Sequence, residues 1–182
     1  IGNTSKTNAN NAIALGNKIE AMAANSINIG NNGYAGGESS ISIGNNSKSS
    51  GTNAIALGTT SRTNRNNAIA IGNETLSEGE NSISIGNGAK SKEKDSITIG
   101  KNVIAEQSDS IAIGNNTKSS GTNAIAIGNT SKTNANNAIA IGNTSKTNAN
   151  NAIALGNKIE AMAANSINIG NNGYAGGESS IS

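Results

Sequence analysis

The sequence predicts an all-β solenoid, and three observations predict it. An Ile-Gly or Leu-Gly pair begins at Ile1, Leu15, Ile29, Ile43, Leu57, Ile71, Ile85, Ile99, Ile113, Ile127, Ile141, Leu155 and Ile169, which makes 13 copies of a 14-residue unit in 182 residues with no insertion or deletion. Residues around each pair alternate, as in Asn67-Ala68-Ile69-Ala70-Ile71, with branched apolar residues on one face of a short strand and small ones on the other. Finally, Gly follows the aliphatic residue in every copy, which interrupts any helix and suits a position of positive φ or close backbone approach. A fixed period along a whole chain marks a stack in which each unit touches only its neighbours.

Each element of the unit follows from its residues, numbered here as slots 1 to 14 from the aliphatic residue of the pair. Slots 11 to 1 form the first strand, and Gly at slot 2 with Asn at slot 3 ends it in a turn; only Thr59 and Lys101 replace that Asn. Slots 5, 7 and 9 are mostly small, as in Ser5, Thr7 and Ala9, while slots 4, 6, 8 and 10 carry nearly all the charge. A second strand with small residues inward and charges outward fits this pattern. Two strands and two turns fill the unit, so successive coils are expected about 4.8 Å apart with parallel, in-register pairing. The pattern places Ile13, Leu15, Ile27, Ile29, Ile69, Ile71, Ile111 and Ile113 in the repeat core, with Gly16, Gly30, Gly72 and Gly114 at the turn. It turns the small slots 12 and 14, such as Ala12 and Ala14, away from that aliphatic stripe. Stacked Asn side chains are expected to bond along the axis.

Two rival folds fail on the period. Ile113-Gly-Asn-Asn-Thr-Lys118 has the look of a hexapeptide β-helix, but that fold needs three hexads per coil, which the 14-residue unit does not supply. A coiled coil is excluded by a Gly in every copy and by constant apolar positions only two apart.

Composition narrows the function. Hydrophobic residues are 34% and aromatic residues 1% of the chain, which by itself suggests disorder, but disordered sequence has no reason to hold this register. The net charge of +2, from 13 basic and 11 acidic residues spread along the chain, gives no footprint for nucleic acid or an anionic membrane. No Cys is present to form disulfides. No apolar run is long enough to span a bilayer, so any export signal or anchor is expected outside this segment. The chain opens in mid-motif at Ile1 and closes on Ser182, which reads as a window cut from a longer array, a single continuous run of repeats over 1–182. Residues 1–42 recur unchanged at 141–182, so a larger unit of ten copies begins to repeat.

A core of 26 aliphatic side chains at slots 13 and 1 is thin for 182 residues, and this predicts a second surface buried against copies of the same chain. The recurring Asn-Ala/Ser-Ile-Ala-Ile-Gly, followed by small residues at slots 5 and 7 and Ala or Gly at slot 9, resembles the head repeat of YadA-like trimeric autotransporter adhesins. That resemblance implies a left-handed parallel β-roll, a homotrimer, and display on the bacterial surface. It also implies anchoring in the outer membrane through other regions, with host extracellular-matrix or cell-surface proteins as partners. Ile19, Val103 and Ile159 at slot 5, and Arg65, Glu93 and Gln107 at slot 9, depart from the small-residue pattern and are expected to bulge the coil or reach the surface.

Candidate sites are few. With no His or Cys, catalysis would rest on carboxylates such as Glu78 and Glu80, which alternate with Lys on outward slots and read as a solvated face. No metal-binding pattern and no cofactor motif is present, so a non-enzyme is expected. Ladders of charge are expected where Glu78, Lys92 and Glu106 stack at slot 8, and a like-charged column where Lys118, Lys132 and Lys146 stack at slot 6. The binding candidates are the apolar members of the otherwise charged slot 6 column, Tyr34, Leu76, Ile104 and Tyr174, with Lys90 between two of them and Met22 and Met162 nearby. An adhesin head is the expected function. A spacer without its own ligand site is the alternative, and an ice-binding solenoid is disfavoured by the mixed Thr, Ala and Ser at slot 7.

Overall fold

The computed structural model describes residues 1–182 and contains only strands and turns. The chain is an all-β parallel solenoid of about 12 turns with 14-residue coils. It divides into two compact units, Ile1–Ser91 and Lys92–Ser182.

Each coil contributes one long and one short strand. In the first unit, Ile13–Asn17, Ile27–Asn31 and Ile41–Asn45 pair in parallel, with Ile13 opposite Ile27 and Ile27 opposite Ile41. Short strands such as Lys6–Thr7, Glu20–Ala21 and Tyr34–Ala35 form a second ladder. The second unit repeats this plan, from Ile97–Lys101 and Ile111–Asn115 in the long ladder to Glu160–Ala161 and Tyr174–Ala175 in the short one. Strands pair across one unit of 14 residues, as Ile111 does with Ile125, so the expected in-register stack is present. Most long strands run through slot 2 to slot 3, as Ile125–Asn129 does, two residues beyond the expected end. The reversals fall at slots 4 and 11, where residues such as Asn116 (φ 52) and Asn123 (φ 54) take the left-handed conformation that Asn tolerates best.

The slot 2 glycines are required twice over. Gly114 has φ +131, and a Cβ built there would lie 1.8 Å from the carbonyl oxygen of Gly128 in the next coil. Backbone therefore stacks on backbone at this column, and no side chain fits between.

The interior corrects the sequence reading. Ala12 is half-buried, Ala14 is 7% exposed, and Ala54, Ala56, Ala68, Ala70, Ala112 and Ala126 are fully buried, so slots 12 and 14 face inward. The aliphatic stripe faces out. Ile13 is 51% and Leu15 44% exposed, and Ile27, Ile29, Ile69, Ile71, Ile111 and Ile113 are all only half-buried. The physical reason is thickness: two strands folded back within one coil leave room for Ala, Ser and Thr, and opposed rows of Ile would force the strands apart.

Large side chains also enter the interior at slot 5, opposite the small Ala14 and Ala154 and, for Val103, opposite Thr98. Ile19, Val103 and Ile159 at slot 5 are fully buried, contrary to the expectation of bulges or surface exposure. Ile19 packs with Ala14 and Ala21, and Ile159 with Ala154 and Ala161. The reverse trade occurs at Asn28 and Asn168, buried at slot 14, where slot 5 becomes Gly33 and Gly173. A Cβ on Gly33 would lie 2.4 Å from Asn28 Oδ1, and one on Gly173 would lie 2.6 Å from Asn168 Oδ1. At slot 9, Arg65, Glu93 and Gln107 are exposed, as expected for that position.

Many buried hydroxyls are satisfied by backbone, although Ser40 Oγ, Thr147 Oγ1 and Ser180 Oγ have no partner. Thr117 Oγ1, Ser131 Oγ and Ser145 Oγ donate to the carbonyls of Gly128, Gly142 and Gly156 at 2.8, 2.6 and 2.7 Å, tying slot 5 of one coil to slot 2 of the next. Ser49 and Ser119 at slot 7 donate across the interior to the carbonyls of Ala54 and Ala124, both at 2.9 Å. This explains why so polar a sequence holds a packed interior.

Candidate binding surface

The short-strand face carries the outward slots 4, 6 and 8, and the slot 4 turns run along its edge. Period-two alternation puts slots 5 and 7 inside and leaves slot 6 standing outward in every coil. All five candidates stand on this column: Tyr34, Leu76 and Ile104 are half-buried, and Lys90 and Tyr174 are exposed. Leu76 and Lys90 are adjacent, being register partners in the first unit. Tyr34 lies apart from that pair in the same unit, with Lys48 as its following register partner. Ile104 and Tyr174 belong to the second unit, where Ile104 pairs with Lys118 and Tyr174 with Glu160.

Three grooves include a tyrosine or leucine of slot 6. Thr4, Ser5, Lys6, Lys18, Glu20, Asn32, Gly33 and Tyr34 line one of about 610 Å³. The repeated sequence lines another, of about 200 Å³, with Thr144, Lys158, Glu160, Asn172, Gly173 and Tyr174. A third, of about 280 Å³, is bounded by Thr60, Arg62, Glu74, Thr75, Leu76 and Lys90. The first two contain the same six repeat positions in three successive coils.

Sequence reasoning singled out the tyrosines but missed what holds them. A Cβ on Gly36 would lie 2.2 Å from Tyr34 Cε1 and 2.5 Å from its Cζ, so the ring lies across the bare backbone of slot 8. Gly176 leaves the same space for Tyr174, with Cε1 at 2.3 Å. Slot 8 is Gly only at these two positions, and only there does slot 6 hold an aromatic residue; that coincidence was the available signal. Lys48 Nζ stands 5.3 Å from the Tyr34 ring centroid.

The charges form staples along the axis. Glu106 accepts hydrogen bonds from Lys92 Nζ at 3.0 Å and Ser120 Oγ at 2.8 Å, and Lys118 Nζ lies 2.9 Å from its second oxygen. Burial alone would raise the Glu106 carboxyl, but Lys118, Lys92 and Ser120 together hold it down at about 2. Lys118, Lys132 and Lys146 do stand in register, yet Glu106 engages the first and Glu160 is the register partner of the last. Asn ladders join coils as expected, for example Asn143 Nδ2 to Asn157 Oδ1 at 3.1 Å and Asn157 Nδ2 to Asn171 Oδ1 at 2.9 Å.

A thin parallel β-solenoid with small residues inside, an aliphatic stripe outside and a groove-bearing polar face is a surface-presenting scaffold. The sequence matches the family described as YadA head domain repeat over residues 1–18, 35–61, 49–75, 77–102, 105–131 and 134–158, more than half of the chain. The chain belongs to the YadA head-repeat family and is an adhesin head segment. The family is one of adhesins, generally without enzymatic activity, and YadA-type adhesins are outer-membrane cell-surface proteins.

Among solved structures, the crystal structure of the collagen-binding domain of the Yersinia adhesin YadA is similar, with a TM-score of 0.61 and 31% sequence identity. The match covers 65% of this chain and 66% of that one. A search of curated proteins finds no match. No helix is long and apolar enough to cross a membrane.

Proposed function

We propose that this chain is the ligand-presenting part of a bacterial surface adhesin head. It assembles as a homotrimer of left-handed rolls and attaches to host extracellular-matrix or cell-surface protein, with no catalytic step. The observation that carries this reading is the exposed aliphatic stripe. Ile99 is 39% and Ile141 37% exposed, and most of the other slot 13 and slot 1 residues are half-buried. A regular column of half-exposed Ile and Leu on every coil is a large apolar surface for a chain this polar, and copies of the same chain offer the complementary stripe. Covering it adds roughly 0.5–1 kcal/mol per side chain, summed over many coils.

With the long-strand stripe turned to the partners, the short-strand face stays outward for ligand. Tyr34, Leu76, Lys90, Ile104 and Tyr174 supply its apolar and cationic contacts. The similarity to a collagen-binding domain makes collagen the first matrix protein to try. Anchoring and export are assigned to regions other than this segment.

The test is light scattering on a sizing column together with solid-phase binding to matrix proteins. A trimer is expected. Ile113→Ser with Ile127→Ser should dissociate it while circular dichroism keeps its β signal, and matrix binding should fall as multivalency is lost. A wild-type monomer that binds matrix as strongly as any oligomer would overturn the assembly. A trimer with no affinity for matrix or host cells would favour the spacer reading, which the unchanged return of 1–42 at 141–182 supports.

A further inference from the structure

The structure assigns a saccharide site to the groove ended by Tyr34, and a second copy of it to the groove ended by Tyr174. The ligand class is an acidic sugar: a pyranose ring stacked on the tyrosine, with its carboxylate or sulfate held by the neighbouring lysines. This names a ligand for the short-strand face and rests on the adhesive reading above.

Four observations carry it. The tyrosine is seated, since Gly36 and Gly176 replace side chains on the strand beneath the ring. Neither glycine has a positive φ, so the backbone does not require glycine there, and the ring is what uses the space. A seated ring loses little entropy when something stacks on it. Lys48 lies over the Tyr34 ring from the following coil, and it is not among the lining residues; the groove reaches the ring from the two preceding coils, which supply Lys6, Lys18 and Glu20.

The second observation is charge. Lys6 Nζ lies 3.7 Å from Glu20 Oε1, which offsets the one carboxylate, and Lys18 stands without an ion-pair partner. Lys18 and Lys48 therefore leave the tyrosine in a cationic setting, which favours an anion.

The third is the polarity of the walls. Apart from the ring, the lining is Thr4, Ser5, Asn32, Gly33 and charged side chains, with no other aromatic or branched apolar residue. A ring with C–H faces and hydroxyls around its rim matches one aromatic platform among hydrogen-bonding groups.

The fourth is duplication. At 1–42 the groove has the Lys48 coil beyond it, and at 141–182 it has residues 127–140 before it, yet the same six positions line both. The shared lining is thus a property of these three coils, whereas the volume, about 610 Å³ in one and about 200 Å³ in the other, also depends on what flanks them. Two copies in one chain give a multivalent surface for a polymeric or clustered glycan.

The test uses the full chain on biosensor surfaces bearing a heparin-derived tetrasaccharide, sialyllactose, the desulfated tetrasaccharide and lactose, with a collagen surface in parallel. Binding to one or both acidic sugars, and much weaker binding to the neutral counterparts, is expected; whether sulfate or sialic acid is preferred identifies the source. Tyr34→Ala with Tyr174→Ala should weaken it roughly tenfold or more, the loss of an aromatic anchor at each site. Tyr34→Phe with Tyr174→Phe should retain it. Gly36→Ala with Gly176→Ala leaves the tyrosines but removes their seat, and should weaken binding while the dichroism spectrum is unchanged. The proposal is overturned if no acidic sugar binds, if an acidic peptide binds in its place, or if the alanine variants bind sugar as tightly as wild type. Retained collagen binding without sugar binding defeats this site alone, whereas loss of both, with no binding to other matrix proteins or to host cells, defeats the adhesive reading.

Discussion

Replacing Gly33 by Ala tests whether the interior is filled by trading volume across the coil. Gly33 has no positive φ, so the backbone accepts Ala, and the cost comes only from contact. The new Cβ would stand 2.4 Å from Asn28 Oδ1, 3.1 Å from its Nδ2 and 3.2 Å from its Cγ. The amide cannot swing away, because Asn28 is fully buried and its Nδ2 donates to the Glu20 carbonyl at 3.0 Å. The expected destabilisation is about 1–3 kcal/mol. Asn28→Ala alone loses that hydrogen bond and some packing, but it also removes a buried Oδ1 that has no hydrogen-bond partner, so its net effect should lie within about 1 kcal/mol of zero. In the double variant the clash is gone, and Ala faces Ala in an interior that elsewhere pairs Ala126 with Ser131. It should therefore be nearly as stable as Asn28→Ala, with a favourable coupling of about 1–3 kcal/mol. Urea midpoints followed by circular dichroism give the cycle, at one protein concentration because assembly shifts apparent stability by mass action. Additive effects, or a neutral Gly33→Ala, would refute the reasoning.

Two further outcomes follow from the stack and its charges. Gly114→Ala combines an unfavourable φ of +131 with a Cβ 1.8 Å from a neighbouring carbonyl oxygen, and should cost about 2–5 kcal/mol in the same urea assay. Glu106 sits at about 2, below its ordinary 4.5, so its stabilisation is complete above roughly pH 4.5 and is lost as pH falls from there towards 2. Because Lys92 and Lys118 are 42% and 40% exposed, solvent screening limits the effect to about 1–2 kcal/mol. Comparing urea midpoints at pH 7 and pH 3, Glu106→Gln should show a smaller acid loss than wild type; an unchanged loss would remove Glu106 from the acid response.

The sequence by itself determined the coil, its parallel register, the outward placement of slots 4, 6, 8 and 10, and the Asn ladders. Each follows from the 14-residue period and from alternation along a strand, both local and countable. The lysine and glutamate positions were legible for the same reason, as the pairing of Lys92 with Glu106 shows. What alternation cannot tell is which face of a strand is inside. Ile13 and Leu15 share one face and Ala12 and Ala14 the other, and the rule that large apolar residues go inward picks the wrong one here. Only the tertiary structure decided it, because the available thickness depends on how closely two strands of one coil approach. That closeness also buried Ile19 against Ala14 and seated Tyr34 over Gly36, since both contacts join slots whose shared space exists only once the coil has closed.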